Sequence, residues 1–315
     1  MDRKPLDVVT VVFNDELRLL KLQARSMGRY LDPTLVGSIY VIVNDRRPAV
    51  VRAFFLEHIL PEYGSLKHKV RFLLHDDVWQ TRNRRFGWQS QQALKLIAAR
   101  QVKADSYLIL DAKNHFVRPV QSDAFFAPDG RLRSHLYLMV PKFQQAFAAA
   151  CDLFGLPGDH NGPCLPTTTP FLADRQLVTD MLQTIEARVG QPFEHYFMQA
   201  KGRYTEFSLY SAFHLLSRGG FEATYERRNC PTATLFRGIR AKPDRVLDVL
   251  SRLEDDEEAY CMGVHREILK VSDPTVLNLV KGAWARFDLV TEAKEQAYFM
   301  EIQDTLPKWR RFLPL

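Results

Sequence analysis

The sequence predicts an α/β fold: a mainly parallel sheet with helices on both faces and a helical C-terminal part. Three observations predict it. Within residues 1–120, short β-branched runs alternate with longer segments of helical periodicity. The β-branched runs are apolar throughout, as expected of parallel strands that are buried on both faces. The pattern from residue 243 onward is mainly helical.

The alternation of strand and helix favours parallel strands joined by helical crossovers. Gly37 precedes the second predicted strand and Pro61 ends the second predicted helix, as chain-turning residues should. We predict parallel strands at residues 7–13, 38–44, 69–74 and 106–110, with helices at 15–30, 49–60 and 88–102. Beyond Pro119 we predict strands at 136–140 and, at an edge, 221–225, with helices at 143–153, 172–189 and 205–217.

Composition limits the function classes that the chain fits. The 315 residues include 43 Lys and Arg against 37 Asp and Glu, a net charge of +6. Such a small excess over this length is weak support for nucleic-acid binding, and we expect no nucleic-acid partner. The four cysteines show neither pairing nor zinc-finger spacing, so we expect free thiols. No repeat or linker divides the sequence, and we expect residues 241–315 to form a mainly helical extension on the core of residues 1–240.

Polar side chains end all four predicted parallel strands, where ligands of such sheets bind. The sequence lacks G-x-G-x-x-G, G-x-x-x-x-G-K-[ST] and G-x-S-x-G, which argues against dinucleotide oxidoreductases, P-loop ATPases and α/β-hydrolases. Turns alone also place polar residues at strand ends, which is the alternative explanation. The residues concerned are Asn14, Asn44, Asp45, His75, Asp76, Asp77 and Asp111.

Two segments carry candidate binding groups. The fourth strand ends in Asp111, and Lys113, two residues later, can supply positive charge to a diphosphate oxygen. On the predicted helix of residues 88–102, four residues are spaced at i, i+3, i+4 and i+7 and therefore share one face. A glutamine on this face can form hydrogen bonds to a sugar or a phosphate, and a lysine can offset the charge of a phosphate. The four residues are Trp88, Gln91, Gln92 and Lys95. A polar surface turn and a solvent-facing stripe are the respective alternatives.

On these motifs the sequence resembles a family. W-x-x-Q-Q-x-x-K-L from Trp88, the Asp111 strand and T-E-F-x-L-Y from Thr205 are similar to bacterial GT-A-like glycosyltransferases linked to capsular and surface polysaccharides, over roughly residues 6–220. The resemblance implies a GT-A-like (Rossmann-like) fold, with residues 1–240 as the nucleotide-sugar-binding and catalytic domain. It implies transfer of a sugar from a nucleotide-sugar donor to a glycan or lipid-linked acceptor in bacterial surface polysaccharide synthesis.

The resemblance also raises the question of a metal ion. GT-A enzymes hold a divalent ion, Mn or Mg, against the diphosphate with a D-x-D motif. Lys113 stands where the second aspartate of that motif would be, and we identify no metal-ligating residues. This replacement favours a metal-independent transfer and leaves a bound Mn or Mg ion as the alternative. The same replacement leaves a second reading open: a catalytically inactive GT-A-like domain that binds a glycan or a partner protein.

The resemblance assigns roles to individual residues. We expect Glu206 to take the proton of the acceptor hydroxyl, with Asp159 and His160 on the long loop of residues 155–170 as the next candidates. Simple capping of a helix at Thr205 is the alternative explanation for the Thr205–Glu206 pair. The expected donor-binding residues are Thr10, Asn14, Asp45, Trp88, Gln91, Gln92, Lys95, Asp111, Lys113, Asn114 and His265.

Location is inferred from what the sequence lacks. It has no apolar run of about 18 residues, the length of a membrane span, and no signal-peptide pattern, so we expect a cytoplasmic protein. Basic and aromatic residues alternate in segment 306–312, which fits peripheral contact with the inner membrane. Packing of Trp309 and Phe312 onto the domain is the simpler alternative.

Overall fold

The computed structural model describes residues 5–81, 86–158, 162–271 and 273–301. Its strands are β1 Leu6–Val12, β2 Val36–Val43, β3 Val70–Leu74, β4 Ser106–Asp111, β5 Asn114–Phe116, β6 Leu132–Ser134, β7 Tyr137–Leu138, β8 Pro163–Cys164, β9 Phe171–Asp174, β10 Tyr225–Arg227, β11 Thr232–Leu235 and β12 Cys261–Val264. Its helices are α1 Leu17–Tyr30, α2 Pro48–Phe54, α3 His75–Val78, α4 Trp88–Ile97, α5 Pro141–Phe154, α6 Arg175–Val189, α7 Phe193–Gln199, α8 Glu206–Arg218, α9 Pro243–Asp255, α10 Arg266–Val271, α11 Pro274–Arg286 and α12 Ala293–Met300.

The central sheet has five strands in the order β3-β2-β1-β4-β9. The first four are parallel to their neighbours, and β9 runs antiparallel to β4 at the edge. Every residue of β1 is buried, as its unbroken apolar run predicts for a strand covered on both faces. The predicted α/β class with a mainly parallel sheet is confirmed.

The structure differs from the predicted elements in several places. The predicted helix at 172–189 begins only at Arg175, because Phe171–Asp174 pairs with β4 and the Asp174 carboxylate then caps α6 by accepting from Leu177 N. The predicted helix at 49–60 is regular only as far as Phe54 and continues as a π-helical turn and then a 3-10 segment. The strand predicted at 221–225 is a 3-10 turn followed by β10.

The C-terminal part is tied to the rest of the molecule by a strand as well as by helices. β12 pairs antiparallel with β5 and parallel with β11. Trp284 of α11 is fully buried and donates its indole N–H to His115 Nε2 of β5, at 2.9 Å. Burial lowers the pKa of His115 to about 3, so the ring is neutral and can accept this bond. Beyond residue 241 the described chain is mainly helical; the domain boundary at 240 stays a prediction.

Two further sequence expectations can be compared with the structure. The four cysteines, Cys151, Cys164, Cys230 and Cys261, are free thiols, as their spacing predicts. Among the residues that the structure describes, no helix combines the length and the apolar character needed to span a membrane.

Replacing Gly28 tests the packing of α1 against the 3-10 segment Leu60–Lys69. A Cβ at Gly28 would lie 2.7 Å from the carbonyl oxygen of Glu62 and 2.8 Å from the carbonyl carbon of Tyr63, which are backbone atoms that cannot rotate away. We therefore expect Gly28→Ala to lower the free energy of unfolding by roughly 1–3 kcal/mol, as overpacking does. Gly282→Ala is the matched control, because nothing lies within 4 Å of its Cβ and alanine favours the helix. Equal urea midpoints for the two variants would contradict this packing.

Candidate functional site at the carboxyl edge of the sheet

The parallel pairing of β1, β2, β3 and β4 brings their carboxyl ends to one edge, as the sequence predicts. The ends of β1 and β2 are bonded to each other, because Asn14 N donates to Asp45 Oδ2 at 2.9 Å. The second oxygen of the same carboxylate accepts from Arg47 N at 2.8 Å. Asp45 thus fixes the loop after β2, and both its oxygens are already used by backbone donors.

A cavity of about 490 Å³ opens at this edge, and we call it the rim cavity. Four of the predicted donor-binding residues line it: Asp45, Trp88, Gln91 and His265. Its remaining walls combine aromatic, cationic and polar groups, namely Phe13, Glu16, Asn44, Arg46, Arg47, Phe86, Gly87 and Arg266. Clefts of this size with a few convergent polar groups are the usual form of small-molecule sites.

A cluster of alternating charges stands beside the rim cavity. Lys95 Nζ lies 2.6 Å from Asp111 Oδ1 and 3.0 Å from Glu206 Oε1. Lys113 pairs with the other oxygen of Asp111. The cluster therefore joins α4, the end of β4 and the first turn of α8 through one buried ammonium group.

The charged groups of this cluster shift one another's pKa values. Burial alone would raise the pKa of Asp111, but Lys113 and Lys95 outweigh it and hold the pKa well below its usual range. Burial alone would lower the pKa of Lys95, but Asp111 and Glu206 outweigh it and raise the pKa above its usual value. Asp111 and Lys95 are consequently both charged at neutral pH.

Hydrogen bonds from neighbouring side chains hold the turn that follows β4 at Asp111. Thr169 Oγ1 bonds Asp111 Oδ2 at 3.0 Å and Asn114 Oδ1 at 2.6 Å. Asn114 Oδ1 also accepts from Asp111 N, and Gln23 Nε2 donates to the carbonyl oxygens of Asp111 and Asn114. Thr10 in turn donates to Gln23 Oε1 at 2.9 Å. Asp111 is therefore positioned by a chain of buried amide and hydroxyl groups.

Two of the expected donor-binding residues lie inside this network and do not line the rim cavity. Thr10 and Asn114 are fully buried, and their side chains bond to Gln23, Thr169 and the Asp111 backbone. Thr10 sits inside β1, opposite Val41 and Leu110, rather than at its end. Both residues support the Asp111 turn from within the core. Asn14 is also buried, and its backbone N–H donates to Asp45 Oδ2.

The four residues predicted to share one face of α4 differ in their exposure to solvent. Trp88 is 66% exposed and lines the rim cavity together with Gln91. Gln92 and Lys95 are buried, because α4 packs on β1 and α8. The ammonium group of Lys95 faces Asp111 and Glu206, and its expected contact with phosphate stays a prediction. The Gln92 amide has no hydrogen-bond partner within the described part of the chain.

Glu206 is held inside the structure by α8. Thr205 caps this helix, with its hydroxyl accepting from Ser208 N at 3.0 Å, which confirms the capping interpretation. Glu206 itself is 5% exposed and bonds Lys95 Nζ. It positions Lys95, and it is not among the residues that line the rim cavity. The other candidate bases, Asp159 and His160, and the segment 306–312 lie outside the described residues.

Glu16 is a candidate that the sequence reasoning missed. It lines the rim cavity at the start of α1. Burial, and then the negative charge of Asp111, raise the pKa of Glu16 to about 7, although nearby cations oppose the shift. A carboxyl group with such a pKa can both take and release a proton near neutrality. The sequence signal for Glu16 is its position two residues after Asn14, at the end of a predicted parallel strand. An acidic residue is also common in the first turn of a helix, so this position alone does not indicate a functional role.

The loop after β12 completes the cavity wall. His265 follows β12, and its neighbour Val264 donates its backbone N–H to the Lys113 carbonyl, so β12 connects the cavity wall to the Asp111 turn. His265 Nδ1 accepts from Glu267 N at 3.2 Å. Burial and the nearby cations Lys113 and Arg266 lower the pKa of His265. The ring is thus neutral, with Nε2 as its N–H donor.

The residues at this edge do not fit a resident divalent ion. Both oxygens of Asp111 are engaged by ammonium groups, and Lys113 itself offers no lone pair when charged. Across the described residues, no group of three or more His, Cys, Asp and Glu side chains could hold a metal ion. Positive charge at this edge is supplied by lysine and arginine side chains.

Comparison with known proteins places the chain in a family. The chain belongs to a family of unknown function, DUF6492, whose model matches residues 5–241. No curated protein matches it. A solved structure of the galactosyltransferase LgtC, in complex with donor and acceptor sugar analogs, is similar at a TM-score of 0.46 and 14% identity, covering 98% of this chain and 100% of that one.

Two other solved glycosyltransferases show the same level of similarity. The apo form of GlyE from Streptococcus pneumoniae has a TM-score of 0.46 and 12% identity, covering 94% of this chain and 62% of that one. The bifunctional WbbM has a TM-score of 0.46 and 9% identity, covering 92% of this chain and 51% of that one. Likeness at this level carries no functional argument, so a function has to rest on the rim cavity and its residues.

Removing the charge of Lys95 tests the buried cluster. Lys95→Met leaves Glu206 buried and unpaired, and Asp111 with Lys113 alone, so we expect a loss of about 3 kcal/mol in the free energy of unfolding. Lys67→Met, at an exposed position, is the control and should change stability by less than about 0.5 kcal/mol. Urea titrations of both variants give the comparison, and a loss of under about 1 kcal/mol for Lys95→Met would refute the cluster's structural role.

The raised pKa of Glu16 predicts a pH-dependent stability. The folded-state pKa of about 7 exceeds the ordinary value of 4.5, so folding favours the protonated carboxyl. The resulting stabilisation is complete below pH 4.5 and is lost as the pH rises through 7. Glu16→Gln should therefore be more stable than the parent at pH 8, by about 1–3 kcal/mol, and gain little at pH 5. Glu57→Gln, at an exposed carboxylate, should show no such dependence.

Proposed function

We propose that this protein is a glycosyltransferase that binds a nucleotide-sugar donor in the rim cavity. The observation that supports this most directly is the composition of the cavity. Aromatic faces, three guanidinium groups and a carboxyl group that titrates near neutrality surround one volume, at the edge of a parallel sheet where ligands bind. A nucleotide sugar presents a planar base, a diphosphate and a polyhydroxylated ring, which these groups match in kind.

The aromatic and cationic walls suit the base and the diphosphate. Phe86 offers a ring face for a base, and Gln91 offers an amide for a hydroxyl or a ring nitrogen. Arg46, Arg47 and Arg266 can each form charge-assisted bonds to phosphate oxygens. The guanidinium of Arg266 lies 4.8 Å from the centroid of the Phe13 ring and 3.3 Å from Asp15 Oδ2, which holds it at the cavity wall.

Lys113 is the proposed source of charge for the leaving diphosphate. Lys113 is not among the residues that line the rim cavity, but its charge acts on two residues that do, Glu16 and His265. Its ammonium group is held by Asp111. As the bond between the anomeric carbon and the diphosphate oxygen breaks, negative charge grows on the diphosphate, and a fixed ammonium group stabilises it. We accordingly propose a metal-independent transfer, in which lysine and arginine take the place of a divalent ion.

The acceptor's proton needs a base that the acceptor can reach. The acceptor hydroxyl oxygen attacks the anomeric carbon, the bond to the diphosphate breaks, and the hydroxyl proton must leave. The Glu206 carboxylate is buried and accepts from Lys95 Nζ, so Glu206 serves as the residue that positions Lys95. Glu16, which lines the cavity, is better placed to take the proton in the observed conformation.

The finer part of the proposal concerns the biological acceptor. On the sequence resemblance, the acceptor is a glycan or a lipid-linked sugar in bacterial surface polysaccharide synthesis, reached from the cytoplasmic side with peripheral contact at the inner membrane. One observation favours the alternative of an inactive glycan- or partner-binding domain: Lys113 and Lys95 occupy both oxygens of Asp111. Product analysis with a nucleotide-sugar panel and the glycans the protein binds separates the two, because turnover of any donor eliminates the inactive domain.

Donor binding is tested by calorimetry with nucleoside diphosphates and nucleotide sugars, with and without manganese. We expect binding that does not require the metal, and we expect Lys113→Ala to weaken it by about 1.5–3 kcal/mol, the value of a hydrogen bond to a charged group. Lys103→Ala, which removes an exposed lysine, should leave the affinity unchanged. If no nucleotide of the panel binds under either condition, the glycosyltransferase proposal fails. Unchanged affinity in Lys113→Ala would remove this residue from the diphosphate site.

A further inference from the structure

A second cavity adjoins the rim cavity, and we call it the Trp88 trough. It measures about 590 Å³, and the lining residues that it does not share with the rim cavity include Gln89, Ser90 and Met198. Arg46, Phe86, Gly87 and Trp88 line both cavities. The two volumes therefore meet at one wall, the first turn of α4 and the residues just before it.

Trp88 is exposed to an unusual degree for a tryptophan. Its relative exposure is 66%, whereas Trp79 and Trp284 are at 4% and 0%. An exposed indole at a cavity wall is a common mark of a binding surface, since it offers a large rigid apolar face together with one N–H donor. The apolar C–H face of a pyranose ring stacks on such a surface while its hydroxyl groups bond to the rim.

The wall of the trough is held rigidly before any ligand binds. Gln89 Nε2 donates to the carbonyl oxygen of Phe197 at 2.7 Å, which ties α4 to α7 beside Met198. Ser90 Oγ bonds Asn44 Oδ1 and Gly87 O, and Asn44 Nδ2 also donates to Gly87 O at 3.1 Å. These bonds fix the backbone that carries Trp88, so stacking on the indole orders little of the chain.

We propose that the Trp88 trough binds the acceptor glycan, with a sugar ring stacked on the Trp88 indole, next to the donor in the rim cavity. The proposal rests on the proposed function and adds the place and the chemical class of the second substrate. Group transfer requires two substrates bound next to each other, and two cavities that share a wall are adjacent in this way.

The chemistry of the trough distinguishes it from a second nucleotide site. Arg46 is its one guanidinium group among the described residues, and it belongs to the shared wall. Arg47 and Arg266 lie on the rim cavity alone. Phosphate groups therefore find their partners in the rim cavity, whereas the trough pairs an indole and the Met198 thioether with amide and hydroxyl groups, which suits an uncharged sugar ring.

The first experiment identifies a ligand and places it on the protein. The full chain is applied to an array of defined oligosaccharides, and the strongest binder is titrated into ¹⁵N-labelled protein. We expect the indole N–H signal of Trp88, assigned by its loss in Trp88→Phe, to shift on binding, with the buried Trp79 and Trp284 unaffected. If no oligosaccharide binds, or if a binder leaves the Trp88 signal in place, the proposal is overturned.

Variants then separate the two cavities. Met198→Glu places a charge in the trough without touching the rim cavity, and we expect it to weaken oligosaccharide binding at least about tenfold while uridine diphosphate binding is retained. Gln91→Ala should do the reverse, because Gln91 lines only the rim cavity. Leu247→Glu, at an exposed leucine, is the matched control and should change neither affinity. Oligosaccharide binding that survives Met198→Glu in a folded protein would place the glycan elsewhere.

The outcomes distinguish this inference from the proposed function. Nucleotide binding without oligosaccharide binding removes the trough as an acceptor site and leaves the donor proposal standing. Oligosaccharide binding at Trp88 without any nucleotide binding removes the donor proposal and supports a glycan-binding domain. Competition between uridine diphosphate and the oligosaccharide for one site would show that the two cavities bind a single ligand, and it would overturn the acceptor site.

Discussion

The ammonium group of Lys95, buried between Asp111 and Glu206, is the interaction on which the arrangement of the site depends. It comes from α4, while its two partners come from the end of β4 and the start of α8. A charge that is buried this deeply is tolerated only when it is paired, so the three elements must meet at the same place. Lys113 and Lys95 together keep Asp111 ionised, and the Asp111 carboxylate in turn holds the ammonium group of Lys113.

The same constraint accounts for the chemistry of the cavity wall. The burial of Glu16 and, after it, the negative charge of Asp111 favour the protonated form of the Glu16 carboxyl and so raise its pKa. Lys113, Arg266 and Lys95 offset this effect only in part, so Glu16 titrates near neutrality while Asp111 does not. Two carboxyl groups at one sheet edge thereby acquire different tasks, one as a fixed anion that anchors lysines and one as an exchangeable proton site.

The parallel part of the sheet could be predicted because its strands are long, β-branched and separated by helical patterns. The small sheets could not, since β5, β8 and β12 have between two and four residues and pair with segments far away in the sequence. A run that short carries no periodicity of its own. For the same reason the sequence predicts a helix that begins at Leu172, although Phe171–Asp174 pairs with β4 over its whole length.

The sequence by itself determined which residue types stand at the carboxyl ends of the strands, and therefore that a polar edge with Asp45, Asp111 and Lys113 would form there. Only the tertiary structure decided which of these groups face a ligand. Helical spacing places Trp88 and Lys95 on one side of α4, but the packing of α4 on β1 and α8 buries Lys95 and leaves Trp88 at the surface. Periodicity fixes the angle of a side chain about its own helix, whereas exposure and charge pairing depend on which neighbours the complete fold brings against it.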